Sequence, residues 1–143
     1  MLTVNTKKLH PDATVPWYSR DGDAAKDVRS IEKKLIYQGQ TAFVKTGLAF
    51  EIPVGYVMHV YNRSGQASKG LMLSNGVGVI DSNYRGELMI MLTNNAERPY
   101  EIEVGARIAQ IAIDKVIEFD MNIVDELGVT NRGTDGFGSS GTA

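Results

Sequence analysis

Asn75-Gly76-Val77-Gly78-Val79-Ile80-Asp81-Ser82-Asn83-Tyr84-Arg85-Gly86-Glu87 sets a polar knot against an apolar run at 77–80, and a second apolar run follows at 88–92. Short Val- and Ile-rich runs bounded by Gly, Asn and Asp read as strands. The segment between them has the composition of a tight turn. The stretch therefore predicts a β-hairpin whose turn carries an acid, an amide, a phenol and an arginine. A general base must be firmly held and ionised beside its proton donor, and the end of a stiff strand holds a side chain well. Asp81 is the candidate base. The plain alternative is an Asx-turn, where the carboxylate only caps local backbone, and taken alone Asp81 fits that role better.

Outward from this stretch, turn residues recur about every 8–12 positions, the spacing of a sandwich or barrel. Strands are expected at 2–9, 24–30, 41–45, 48–52, 56–61, 100–104, 107–113 and 115–119. Residues 31–40 are ambiguous. Only 62–70 is polar enough to open a short helix, with Ser64 as its N-cap. No 3.6-residue period is sustained and no repeat occurs, so the expectation is an all-β chain. Its 143 residues suit one domain. The terminus from Asn131 is punctuated by Gly133, Gly136, Gly138 and Gly141. It is too Gly-rich to pack as a core element and is expected to be a mobile arm.

Composition removes several chemistries. There is no Cys and there are two His, which excludes disulfides, Cys nucleophiles and thiolate metal sites and disfavours a zinc centre. The net charge is −2 with no basic stripe, so nucleic acid is not an expected partner. A small anion remains open, because a few arginines and backbone N–H groups suffice for one. The first residues lack the apolar stretch of a signal peptide, and no apolar run could span a bilayer as a helix. A soluble, cytoplasmic protein is the expectation.

Four further segments carry possible chemistry. Arg63-Ser64-Gly65 has the charge and the bare backbone that suit phosphate oxygens, or is a surface cap. Gln110 interrupts an apolar strand on the face of Ile108 and Ala112, and a buried amide needs partners. The arm keeps Arg132 and Phe137 amid glycines. Arg132 could pair with phosphate and Phe137 stack on a base, or the terminus is simply frayed. Asp27 stands alone in a short strand, without the clustered carboxylates of a metal site.

Taken in order, these segments resemble the five motifs of the homotrimeric dUTP pyrophosphatase (dUTPase) family. Ala24-Ala25-Lys26-Asp27-Val28 resembles the first, Arg63-Ser64-Gly65 the second and Asn75 to Glu87 the third. Arg107-Ile108-Ala109-Gln110 resembles the fourth and Arg132 to Gly141 the fifth. The likeness also takes in Thr46-Gly47-Leu48 and Ile52-Pro53-Val54-Gly55-Tyr56.

The resemblance implies a jelly-roll β-barrel over 1–131, a closing arm over 132–143 and a homotrimer with sites shared between subunits. It implies Mg²⁺-dependent hydrolysis of dUTP to dUMP and pyrophosphate, which lowers dUTP and supplies dUMP for dTMP synthesis. Asp81 becomes the base that activates water for attack on the α-phosphorus. Asn75 and the backbone of Val79, Ile80 and Asp81 read uracil, and Tyr84 lies under the deoxyribose. Arg63, Ser64, Gly65 and Gln110 hold phosphates from a neighbouring subunit. Arg132 meets the γ-phosphate while Phe137 stacks on uracil, and Gly78, Met89, Gly138 and Ser139 complete the implied substrate contacts. Asp27 touches Mg²⁺ only through water, since the triphosphate supplies most ligands. Ala25, Val28, Asn83 and Asp135 depart from the family pattern. A dCTP deaminase-like enzyme, which shares fold and part of the third motif, and a nucleotide-gated binding trimer are the alternative functions.

Overall fold

The computed structural model describes residues 1–141, and the last two residues of the arm lie outside them. Ten strands and one helical turn follow in the order β1 (Asn5–Lys8), β2 (Lys26–Arg29), β3 (Lys34–Ile36), β4 (Thr41–Glu51), β5 (Tyr56–Tyr61), α1 (Ser64–Ala67), β6 (Leu71–Leu73), β7 (Gly78–Ile80), β8 (Glu87–Asn94), β9 (Tyr100–Ile102) and β10 (Arg107–Lys115). They build two four-stranded sheets, β1-β4-β8-β6 and β2-β10-β5-β7, and a small β3-β9 pair. All pairings are antiparallel. The fold is the all-β jelly roll that the resemblance implied.

Alternation explains the core. β8 buries Leu88, Ile90, Leu92 and Asn94 and turns Met89 outward. β5 buries Met58 and Val60 and leaves His59 and Tyr61 half-exposed. The inward residues of both sheets meet in one cluster with Val28, Val44, Leu48, Ile108 and Ile111, as period-two side chains require. Asn94, fully buried, is satisfied: its Nδ2 donates to the Ile36 and Arg98 carbonyls (2.9 and 2.8 Å) and its Oδ1 accepts from the Ala96 N–H.

A bulge interrupts β4 between Lys45 and Ala49. Gly47 supplies the positive φ of 67° there. The bulge is tied to β8 by the Thr46 hydroxyl, which donates to the Leu88 carbonyl (2.6 Å), and by the Gly47 N–H, which donates to the Glu87 carboxylate (2.8 Å).

Four sequence expectations need correction. The 77–80 and 88–92 runs are not partners in a hairpin: β7 pairs with β5 and β8 pairs with β4 and β6, so residues 81–86 cross from one sheet to the other. The first two strands are shorter than expected, because 2–4 and 24–25 have no pairing partner. Residues 116–119 form no strand; among the described residues their only backbone tie to the body is the Val116 N–H to the Gly55 carbonyl (2.9 Å). A second bulge, between Arg107 and Ala109, buries Ile108 and takes it off the face of Gln110.

Glu32 supplies a pH prediction. Burial pushes its carboxyl up, but the Lys45 N–H (3.0 Å) and the Lys34 ammonium (3.2 Å) together hold it below the usual carboxylate range. A lowered folded value means stability that is present above the unfolded value and lost as pH falls through the folded one. Glu32→Gln should cost about 1 kcal/mol at neutral pH. In urea unfolding the difference from wild type should close on acidification.

Candidate functional site

Two clefts gather most of the residues that the sequence singled out ahead of the arm, and they share no lining residue. The first, about 670 Å³, lies over β2, β10 and β5. Register builds its floor. Gln110 is the cross-strand partner of both Asp27 and Tyr61, so the three side chains form one row across adjacent strands on one face. The Gln110 amide donates to the Asn62 carbonyl at 2.7 Å and is half-buried.

α1 supplies the rim. Arg63 is its N-cap, with extended backbone and no side-chain cap, so Ser64 opens the helix instead of capping it. The reason lies at the other end of this turn: buried Gln66 donates to the Arg107 carbonyl at 2.6 Å and pins the helix onto β10. Ser64 is left exposed, and a Cβ at Gly65 would meet nothing within 4 Å, so their backbone is open to a ligand. Arg20, Arg63 and Arg107 line this cleft against Asp23 and Asp27. Asp27 is not the solitary acid that the sequence suggests. It accepts from Arg63 Nε at 2.8 Å and faces Arg107 Nη1 at 3.5 Å.

The second cleft, about 250 Å³, lies between the ends of β7 and β8 and the outer face of β4. Its walls are Phe43, Val79, Met89 and Met91, and its polar groups are Asn75, Asp81, Tyr84 and Glu87. Gly78 is buried against Val60, where a Cβ would approach Val60 Cβ to 2.8 Å, so only Gly lets β7 lie this close to β5. The 81–84 turn is closed by backbone: the Tyr84 N–H donates to the Asp81 carbonyl at 3.1 Å. Among the described residues the Asp81 carboxylate accepts no hydrogen bond, which removes the Asx-turn explanation for it. The Tyr84 hydroxyl donates to the Glu87 carbonyl at 3.0 Å and the ring lies over Gly86, where a Cβ would collide with it.

Among the described residues the arm reaches neither cleft. Arg132 Nε donates to the Asp135 carbonyl at 2.8 Å, a local turn. Phe137 is fully exposed with a φ of 51°, and Gly138 and Ser139 make only the neighbouring turns. Phe43, Met91 and Tyr61 were not singled out from sequence, and Arg107 entered only as part of the fourth motif, without a role. Arg107 alone carried a signal, its place three residues before Gln110 in that motif.

Comparison with known proteins bears on this pair of clefts. The family model described as dUTPase matches residues 11–141. A deoxyuridine 5'-triphosphate nucleotidohydrolase of Picosynechococcus sp. is 44% identical over 136 residues, covering 94% of this chain and 96% of that protein. One from Nautilia profundicola is 41% identical, covering 98% of this chain and 99% of its own. The solved structure of a Staphylococcus bacteriophage 80alpha dUTPase variant with dUpNHpp superposes with a TM-score of 0.89 at 30% identity, over 99% of this chain and 100% of that one. The match spans both clefts and the arm, and this chain belongs to the dUTPase family.

Proposed function

We propose that this chain hydrolyses dUTP to dUMP and pyrophosphate, at a site that the two clefts of different copies complete together. The observation that carries the reading is the Asp81 carboxylate, free of hydrogen bonds among the described residues, in a cleft with apolar walls and one amide. Family membership supplies the substrate class. Asp81 accepts a proton from water as that water attacks the α-phosphorus. Asn75 and the backbone of Val79 to Asp81 read the pyrimidine edge, between Met89 and Tyr84. The larger cleft, with Arg63, Ser64, Gly65 and Gln110, takes the phosphates. Because the clefts are separate within one chain, the base half and the phosphate half of one nucleotide come from neighbouring copies, in a homotrimer. The arm closes the site, with Arg132 on the γ-phosphate and Phe137 on uracil, backed by Gly138 and Ser139.

A Mg²⁺ carried by the triphosphate fits these residues. Among the described residues no group of three His, Asp or Glu could cage a metal, and Asp27, the carboxylate in the phosphate cleft floor, is bound to guanidinium. A cation held mainly by phosphate oxygens and water needs no such cage. When bound it neutralises phosphate charge.

The test is pyrophosphate release from dUTP, dCTP, dTTP and UTP with Mg²⁺. Strong preference for dUTP is expected; equal turnover of all four would sink the reading. A related prediction concerns Gly86→Ala. The new methyl displaces the Tyr84 ring, so kcat/KM for dUTP should fall about 10–100-fold. The preference for dUTP over UTP should narrow in the same steady-state assays.

A further inference from the structure

We infer that Arg85 is a positioning residue: it clamps the crossover that presents Asp81 and Tyr84 to the nucleotide. The inference rests on the dUTP reading above. Arg85 lines neither cleft. Its side chain is 55% exposed, and its Nη2 lies 3.6 Å from the Glu51 carboxylate. A surface ion pair of that length stabilises little. The hydrogen bonds of the same guanidinium are shorter and go elsewhere. Nη1 donates to the Ser82 carbonyl at 2.7 Å and to the Tyr84 carbonyl at 3.1 Å.

Those two carbonyls lie where the chain is least supported. Residues 81–86 run from one sheet to the other without strand pairing. Among the described residues one backbone hydrogen bond closes them, the Tyr84 N–H on the Asp81 carbonyl, and no backbone N–H reaches the Ser82 or Tyr84 carbonyl. The Asp81 carboxylate has no hydrogen-bond partner among the described residues, so its position is set by its backbone. β7 holds that backbone as far as Ile80, and β8 takes it up again at Glu87. Between them Arg85 holds the carbonyl that follows Asp81 and the carbonyl of Tyr84, both from one amino group. The Tyr84 hydroxyl, on the Glu87 carbonyl at 3.0 Å, is the other side-chain brace. A general base works only within hydrogen-bond reach of its proton donor, and a displacement of about 1 Å costs rate steeply. A clamp made before substrate arrives leaves less freedom to be lost on binding.

Two rival roles make different demands. A cation that met phosphate directly would, when removed, weaken inhibition by pyrophosphate. An arginine that served only its ion pair would be matched in every effect by loss of the Glu51 charge. A clamp on the crossover predicts neither.

The experiment is steady-state hydrolysis of dUTP and UTP with Mg²⁺ for wild type, Arg85→Ala, Arg85→Gln, Arg85→Lys and Glu51→Gln. Inhibition by pyrophosphate and amide hydrogen exchange of the nucleotide-free proteins accompany it. Arg85→Ala should lower kcat about tenfold, because the base is misplaced and not removed, with KM held within about twofold. The preference for dUTP over UTP should narrow with it, because the Tyr84 carbonyl is one end of the clamp. Pyrophosphate inhibition should hold. Arg85→Lys should recover most of kcat, since an ammonium has three donors for two carbonyls. Arg85→Gln, with one amide donor group, should fall between, and it carries the test if the alanine variant fails to fold. Glu51→Gln should match wild type. Exchange across 81–87 should quicken in Arg85→Ala and Arg85→Gln but not in Glu51→Gln. The inference is overturned by an unchanged kcat or unchanged exchange in Arg85→Ala, by weakened pyrophosphate inhibition, by Arg85→Lys no better than Arg85→Ala, or by Glu51→Gln copying Arg85→Ala. If wild type itself does not prefer dUTP, the functional reading fails instead, and amide exchange still decides whether Arg85 holds the crossover.

Discussion

Asp81→Asn should lower dUTP turnover by about 10²–10⁴-fold, the range for loss of a positioned general base, while nucleotide binding persists. The substitution preserves shape and removes the proton acceptor. It should be silent structurally, because the 81–84 turn is closed by the Tyr84 N–H on the Asp81 carbonyl and the carboxylate makes no hydrogen bond among the described residues. Asp81 is also exposed, so the folded state loses no buried partner. Calorimetry with dUTP in the variant separates the two effects. Retained binding with lost turnover supports the base; unchanged turnover removes Asp81 from the mechanism; lost binding with an intact fold makes it a substrate anchor.

Truncation after Asn131 should leave the thermal midpoint where it is and lower turnover about 100-fold, the cost of losing a donor to developing charge. The first half of that statement comes from the hydrogen bonds. Within 132–141 they close only local turns, from Arg132 Nε to Asp135 and from Ser139 and Gly141 to residues just before them. None of these residues lines either cleft. A segment that contributes so little to its own chain has little stability to take away. The second half comes from what the arm carries: a guanidinium and an aromatic ring on glycine hinges, suited to closing on a ligand and excluding water. A truncated protein with normal turnover would show the arm to be idle. Arg132→Ala separates charge from closure within the same assay.

What the sequence made legible was local. The apolar stretches at 56–61 and 88–92 are strands as expected, and the all-β class followed from turn spacing. What it concealed was pairing. Val77 to Ile80 is apolar enough to pair with any neighbour, and its partner β5 lies upstream, so the hairpin expected from proximity along the chain was displaced by a better long-range fit. The same blindness made Asp27 look solitary: its partner Arg63 is 36 residues away, and only the β2-β10-β5 register brings them together. Residues 116–119 show the converse error. Their composition is that of a strand, but within one chain Ile117 and Phe119 stay 84% and 74% exposed. The cap at α1 moved by one residue because Gln66, a buried amide, sets the helix position, and no local signal in Arg63-Ser64-Gly65 reports that.

The measurement that bears most directly on a site shared between copies mixes two dead proteins. Asp81→Asn lacks the base in the nucleoside cleft, and Arg63→Ala lacks the arginine in the phosphate cleft. Each alone should hydrolyse dUTP only feebly. If one nucleotide is held by clefts of different copies, mixed assemblies contain sites with an intact Asp81 from one copy and an intact Arg63 from another. Co-refolded mixtures should then regain pyrophosphate release from dUTP well above either parent. Mixtures that assemble together and stay as inactive as their parents would contradict the account.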